Sequence, residues 1–388
     1  MRQSPTPQAA DSLGIRLQQL RRQRGWSQRR LAAAAILSHS TVSRIESGAL
    51  SGPTLTVLSQ LAAVLEVPVS VFVDAPRDHP PSEHPPPGPD ATVARMTEAM
   101  QGIPTQRGHP TGGARSAGPE AAEALHRHRM NCDYLAAGNA FPAAFACAAG
   151  HDNPAVRVGL FIDGVFTAKG LGSPATAWMA ATWARHAAER SGHPCLIAEA
   201  AFTTAVLAVA THPADSKDLA DEALRFDITT PALAAASGML HLVRALASIR
   251  TSTDDGTRDL HTAHTLTGPA TGAPDRHGLG FGPSNVLIWQ LQLALAVDDL
   301  DAASFAASQE PTGVSPSRRA GWHLLRAELD LRIHRPDAAA RALRTAFDIA
   351  PLYVVTRNGF AALARATLEA GSWTGPAGEL RRLLEPHL

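Results

Sequence analysis

The chain is predicted to be all-α, and three features of its 388 residues say so. Alanine, the best helix former, dominates an apolar fraction of 45%, while aromatics make up only 5%. Sustained alternation of Val, Ile, Thr and Tyr bounded by turns, the mark of strands, is nearly absent. Apolar positions instead recur at three- and four-residue spacing and are interrupted at short intervals by Gly, Pro or Asp. At this length two or more domains are expected, because one core rarely organises so long a chain.

The elements follow in order. Residues 1–10 are polar and read as a disordered tail. Asp11 or Ser12 caps a first helix that runs to about Arg24 and stops at Gly25. Ser27 caps a second helix, with Gln28 in its first turn. Ser38 caps a third, Ser38–Ser47, which Gly48 ends. Pro53 and Thr54 open a fourth whose Leu55, Leu58, Leu61, Ala62 and Leu65 share one apolar face, and Val67–Phe72 closes the unit with a fifth turn. A five-helix domain is therefore expected over 11–74. The segment PRDHPPSEHPPPGPD then opens a Pro/Gly-rich linker over 75–119, semi-extended apart from a short helix at Thr92–Met100.

From residue 120 to 388 the pattern predicts successive antiparallel helices at 120–138, 153–169, 174–191, 195–211, 230–250, 283–297, 317–333, 337–349 and 354–370. Asp299-Leu300-Asp301-Ala302-Ala303 and Arg335-Pro336-Asp337-Ala338-Ala339 stand at the same place between a long and a shorter helix, 36 residues apart. Ala327, Ala339, Ala346 and Pro351 fall at the offsets of a tetratricopeptide repeat, although the usual aromatic is displaced to Trp322. A repeat domain is expected; the plainer alternative is an irregular helical bundle.

The formal net charge is zero, which argues against a general polyanion binder. Locally the balance differs. Between Asp11 and Asp74, seven arginines (Arg16, Arg21, Arg22, Arg24, Arg29, Arg30, Arg44) outnumber Asp11, Glu46, Glu66 and Asp74, leaving +3. A modest basic patch on a small domain suits phosphate contact. Cys132, Cys147 and Cys195 make no disulfide framework in a chain this long. The start MRQSPTPQ is not followed by a signal-peptide core, and no apolar run approaches the ~18 residues of a membrane span. A cytoplasmic protein with no membrane contact is expected.

The stretch Ser27–Gly48 carries the function. Leu31, Leu37, Val42 and Ile45 are apolar at helical spacing, and Ala32 is small where two helices cross. Two short helices joined by a tight turn in this way make a helix-turn-helix, whose second helix enters a DNA major groove. The run WSQRRLAAAAILSHSTVSRIESG resembles the XRE, lambda-repressor-like helix-turn-helix family, and the likeness covers residues 13–73. It departs at Ile36, where the family usually has Gly; a β-branched residue at positive φ there costs about 1–2 kcal/mol. With GFGPSNV at 280–286 and the helices of 283–349, the layout also resembles the actinobacterial XRE regulators with a tetratricopeptide-like C-terminal domain, and the wider group of peptide-sensing regulators.

Roles follow from that geometry. His39, Ser40, Ser43 and Arg44, at the leading end of the third helix, are the candidate base readers, and Arg44 can hold a guanine O6/N7 pair. Gln28 and Thr41 would fix register on phosphates. Ser38, Arg21, Arg22 and Arg29 complete the candidate DNA-binding set. The resemblance also implies that Arg21 pairs with Glu46 to tie the first helix to the third. Arg22, Arg24, Arg29 and Arg30 are read equally well as a solvated face.

No catalytic order of Ser, His and Asp, no paired carboxylates and no HExxH motif stands out, so no enzyme is expected. His126 and His128 diverge on a helix, so no metal is expected there, nor any cofactor. GLGFG at 278–282 lacks the strand and lysine of a phosphate loop. A sensor groove is the better expectation, since stacked helical pairs are concave. Trp178, Trp183, Phe281, Asn285, Trp289, Arg319, Trp322, His323 and Arg326 mix aromatic surface with polar heads suited to an amphipathic ligand, although Trp at helical spacing is usually core.

The sequence thus predicts a DNA-binding transcription regulator. It would be a homodimer on a (pseudo)palindromic operator in double-stranded DNA, modulated by a small-molecule or peptide effector in the C-terminal groove. The alternative is a DNA-binding adaptor whose repeats bind a protein partner and no small ligand.

Overall fold

The computed structural model describes residues 13–35, 37–47, 57, 60–61, 64–65, 88–101, 112–149, 153–275, 277–371 and 375–384. Every regular element among them is a helix. The chain divides into two units, Met1–Pro85 and Pro86–Leu388.

The first unit contains α1 (Leu13–Gln23), α2 (Gln28–Ala34) and α3 (His39–Glu46). Gly25, at φ +66°, ends α1 in the left-handed region that glycine adopts without strain. Ser27 caps α2 by accepting from the Arg30 N–H at 3.1 Å, and Ser38 caps α3 by accepting from the Thr41 N–H at 3.0 Å. Leu17, Leu31, Ala32, Val42, Ile45, Leu61 and Leu65 make the core. Gly14 lets α1 approach the end of α3, since a Cβ there would stand 2.4 Å from the Ile45 carbonyl oxygen. Ile36 and most of the expected fourth and fifth helices lie outside the described residues. At the turn, the Leu37 N–H reaches back to the Ala32 carbonyl at 2.8 Å, the wide bond that closes a helix end.

The second unit begins earlier than the composition implies. Helix α4 (Pro89–Gln101) falls within the expected linker, yet Met96 and Met100 are sealed in the core, and Gly138 leaves room for Thr92 and Met96. Seven helical hairpins then follow: α5 (Gly112–Met130) with α6 (Tyr134–Ala149), α7 (Pro154–Gly170) with α8 (Pro174–Ser191), and α9 (Pro194–Ala208) with α10 (Pro213–Ala223). They continue as α11 (Pro231–Arg250) with α12 (Thr257–Leu266), α13 (Pro283–Ala296) with α14 (Leu300–Ala307), and α15 (Pro316–Arg332) with α16 (Pro336–Ile349). After the single turn α17 (Pro351–Val355) comes α18 (Phe360–Ala370) with α19 (Pro376–Leu384).

One turn recurs. Cys132, Gly172, Ser252, Asp298 and His334 all take positive φ at the end of a hairpin's first helix. The next N–H in each case reaches a carbonyl five residues back, at 2.7–3.0 Å. This is the Schellman closure, and the Asp298 and His334 copies lie 36 residues apart, matching the repeat legible in the sequence. Ala320, Ala327, Ala339 and Ala346 are buried between α15 and α16, where small side chains let two helices meet. The architecture is a helical-repeat array.

Two expectations need correction. The helix expected at 120–138 is two, split at Cys132, and that expected at 354–370 is two, split before Gly359 at φ +84°. Helices α10, α12 and α19 had no counterpart in the helices read from the pattern. Helix α11 has no unbroken apolar run of membrane length, but it has the length and the mean hydropathy, 1.5, that a spanning helix would show. It is a core helix: 72% of that window is buried, and its Arg244 pairs with Asp259 at 2.5 Å and Asp221 at 2.7 Å.

Candidate nucleic-acid interface

The leading end of α3 is open. Val42 and Ile45 face the core, whereas His39, Ser40 and Arg44 are exposed and Thr41 and Ser43 partly so. The helix thereby presents polar groups at i, i+1, i+4 and i+5, a single outer face. Ser38 is occupied as the cap, sharing a second bond of 2.8 Å with the Thr41 hydroxyl, so it sets the start of the reading helix.

Behind that face lies a buried ion pair. Arg21 Nε and Nη2 donate to the two carboxylate oxygens of Glu46 at 2.6 and 2.8 Å, and Nη1 donates to the Trp26 carbonyl at 2.6 Å. Gln28 Nε2 donates to Glu46 at 2.9 Å. Burial alone would raise the Glu46 pKa; hydrogen bonds from Arg21 and Gln28 and the nearby arginine charges more than reverse this and hold the carboxyl below its ordinary value. Arg21, named among the DNA-facing residues, therefore turns inward into the pair with Glu46 that the resemblance implied, and Gln28 commits one of its two amide hydrogens to the same carboxylate. Arg22 and Arg29 are exposed. Trp26 was not singled out as an interface residue: the Arg30 and Arg24 guanidinium groups lie 5.0 and 5.9 Å from its ring, a cation–π arrangement that positions both arginines at the entry to α2. The alternation Arg24, Trp26, Arg30 was the available signal.

Residues 17–72 match the helix-turn-helix family model. The N-terminal unit is a helix-turn-helix domain. Over 74 residues the chain is 42% identical to the HTH-type transcriptional regulator SutR of Escherichia coli (strain K12), a stretch amounting to 19% of this chain and 41% of SutR. The chain thus matches about two fifths of the length of that curated relative. Among solved structures, Bacillus thuringiensis PlcR in complex with the peptide PapR7 and DNA is similar at 14% identity over 77% of this chain and 95% of that one, with a TM-score of 0.31. The apo form of the competence regulator ComR from Streptococcus vestibularis is similar at 16% identity over 91% and 98%, with a TM-score of 0.17. Superpositions this loose leave the repeat array to be described from its own hairpins.

The ligand candidates outside the helix-turn-helix domain do not converge. Trp322 and Trp289 are buried, 1% and 7% exposed, in different clusters, so neither face is offered to a ligand. Trp178 is exposed on α8, and Trp183 packs edge-on against Phe145. Arg319, His323 and Arg326 form one stripe of α15, where burial and the neighbouring arginines push the imidazole below its ordinary pKa. Asn285 is buried, donating to Met239 Sδ at 2.9 Å and accepting from Arg318. Arg318 was overlooked in favour of Arg319. Its position four residues before buried Trp322 was the signal, since i and i+4 share a face.

His126 bonds Asp163 at 3.1 Å, His128 bonds Asp133 at 3.2 Å and Cys132 accepts from the Tyr134 hydroxyl at 3.6 Å. Among the described residues no group of three or more His, Cys, Asp and Glu side chains is placed to hold a metal ion. A cleft of about 280 Å³ opens beside Asp163, lined also by Ala122, Val156, Leu160 and His277.

Proposed function

We propose that this chain is a sequence-specific DNA-binding transcription regulator that acts in the cytoplasm as a homodimer on a (pseudo)palindromic operator. The observation that carries the reading is the outer face of α3: His39, Ser40 and Arg44 are exposed while the same helix is fixed from behind by Arg21, Glu46 and Ser38. A rigid scaffold with free polar groups at the leading end of a helix is what base readout in the major groove requires. Arg22 and Arg29, with Trp26-positioned Arg30, supply the phosphate contacts that set affinity without choosing sequence. One such domain buries little DNA, and the two-fold arrangement doubles that surface.

The hairpin array of the second unit would join the two copies and receive an effector, a small molecule or peptide. A ligand that prefers one arrangement of the array would change half-site spacing and so operator occupancy.

The test is to sequence the DNA fragments that the purified full-length chain retains from a random pool. A single two-fold motif is expected, and it should disappear when His39 and Arg44 are both changed to Ala. Retention of fragments without a common motif, or selection that survives the double change, would refute the reading.

A further inference from the structure

The glycine-rich run at 277–281, His-Gly-Leu-Gly-Phe, is no phosphate loop. It precedes α13 as an irregular segment whose contacts go to the first helices of the hairpins. Arg129 of α5 donates Nη2 to the His277 carbonyl at 2.8 Å. His277 Nδ1 pairs with Glu199 of α9 at 2.7 Å, and its ring lies on Gly159 of α7. Arg318 of α15 donates to the Leu279 carbonyl. The Phe281 ring lies on Gly238 of α11.

Both sides of this contact are shaped for it. A Cβ on Gly159 would come within 2.6 Å of the His277 ring, and one on Gly238 within 2.1 Å of the Phe281 ring, so each ring sits where its helix has no side chain. On the segment itself, Gly278 and Gly280 take φ +62° and +61°, and a Cβ on either would press against Arg129 or Arg318. Carbonyls gripped by arginines, with side chains seated in gaps, are the contacts by which a groove holds a peptide. The open cleft beside His277 is lined by the same α5 and α7.

We propose that residues 277–281 are a built-in occupant of the repeat array's groove, so that the face formed by the first helices is closed by the chain itself and opens only when His277 and Phe281 leave their seats. A partner or effector using that face competes with this strap. Because the strap is tethered at both ends, its effective concentration is of order mM, and a free chain of the same sequence cannot displace it at low concentration. The inference rests on the second unit alone and its test contains no DNA, so it stands or falls separately from the regulator reading.

The probe is a fluorescently labelled hexapeptide of residues 277–282, titrated into the full-length protein and into the double variant His277→Gln, Phe281→Ala, with amide exchange of the strap followed in both. The variant is expected to lose strap protection, keep its helical circular dichroism and bind the peptide at least about tenfold more tightly than the unaltered chain. Equal binding to both proteins, no binding to the variant, or undiminished strap protection would overturn the proposal. Should the double variant lose its helical signal, Phe281→Ala alone, which empties one seat and leaves the helices that form it unaltered, is judged by the same readouts.

Discussion

Arg21 and Glu46, 25 residues apart in the chain, face each other with two parallel hydrogen bonds of 2.6 and 2.8 Å. Their side chains are 10% and 2% exposed. The pair ties the end of α1 to the end of α3 and so fixes the angle at which the reading helix leaves the domain. Removing one partner of a buried pair leaves the other charge without compensation, which costs about 3 kcal/mol. Glu46→Ala is therefore expected to destabilise the helix-turn-helix domain by that amount, read as lost amide protection across 13–47 with the repeat array unaffected.

The same carboxyl makes the domain acid-sensitive. Its folded pKa lies below the ordinary value of 4.5, so its stabilising contribution is complete above that value and is lost as pH falls through the lower, folded one. Glu46→Gln should remove this part of the acid dependence. Exchange of α3 amides against pH, compared between the two proteins, checks it.

His277 runs the opposite way. Burial lowers its pKa, but Glu199, Asp163 and the Ala155 carbonyl together raise it above the ordinary 6.5. A raised folded pKa gives stability that is complete below pH 6.5 and is lost as pH rises through the folded value. Urea midpoints of the second unit should therefore decline on the alkaline side, and His277→Gln should flatten the profile.

Base readers and phosphate contacts separate by salt. Arg44→Ala is expected to lower operator affinity by about 1–3 kcal/mol and relax selection at one position. Arg29→Ala should instead weaken all sequences alike and reduce the salt slope by about 1. Fluorescence anisotropy at several salt concentrations distinguishes the two.

On α15, Trp322→Ala empties a core position and is expected to destabilise the array by about 3–5 kcal/mol. Arg326→Ala, on the exposed stripe, should change stability by no more than about 0.5 kcal/mol. Chemical denaturation of the full chain reads both.

Helix starts were well marked at several prolines, as at Pro174, Pro231 and Pro336, because a ring that fixes φ and lacks an N–H is suited to the first turn, although Pro213 and Pro376 open helices that the pattern did not show. Several helix ends were not. The breaks after Met130 and before Phe360 depend on single residues taking positive φ, and Cys132 carries no turn preference that a reader could use. Helix α4 was read as a short helix at Thr92–Met100 but assigned to the linker, because the prolines before it signal linker to any window averaged over them; that Met96 and Met100 belong to the core was not legible.

What the sequence determined by itself was local: an all-helical chain, two cap serines, the outward phase of α3, and a 36-residue echo around Asp298 and His334. Helical periodicity and capping act within a few residues, so they can be read along the chain. The tertiary structure alone decided that Gln28 joins Arg21 on Glu46, that Trp289 and Trp322 are core, and that residues 277–281 lie across five first helices. Those outcomes depend on what stands opposite each side chain, and the residues opposite, Glu46, Gly159, Gly238 and Arg318 among them, are brought there by packing over distances that no window of sequence spans.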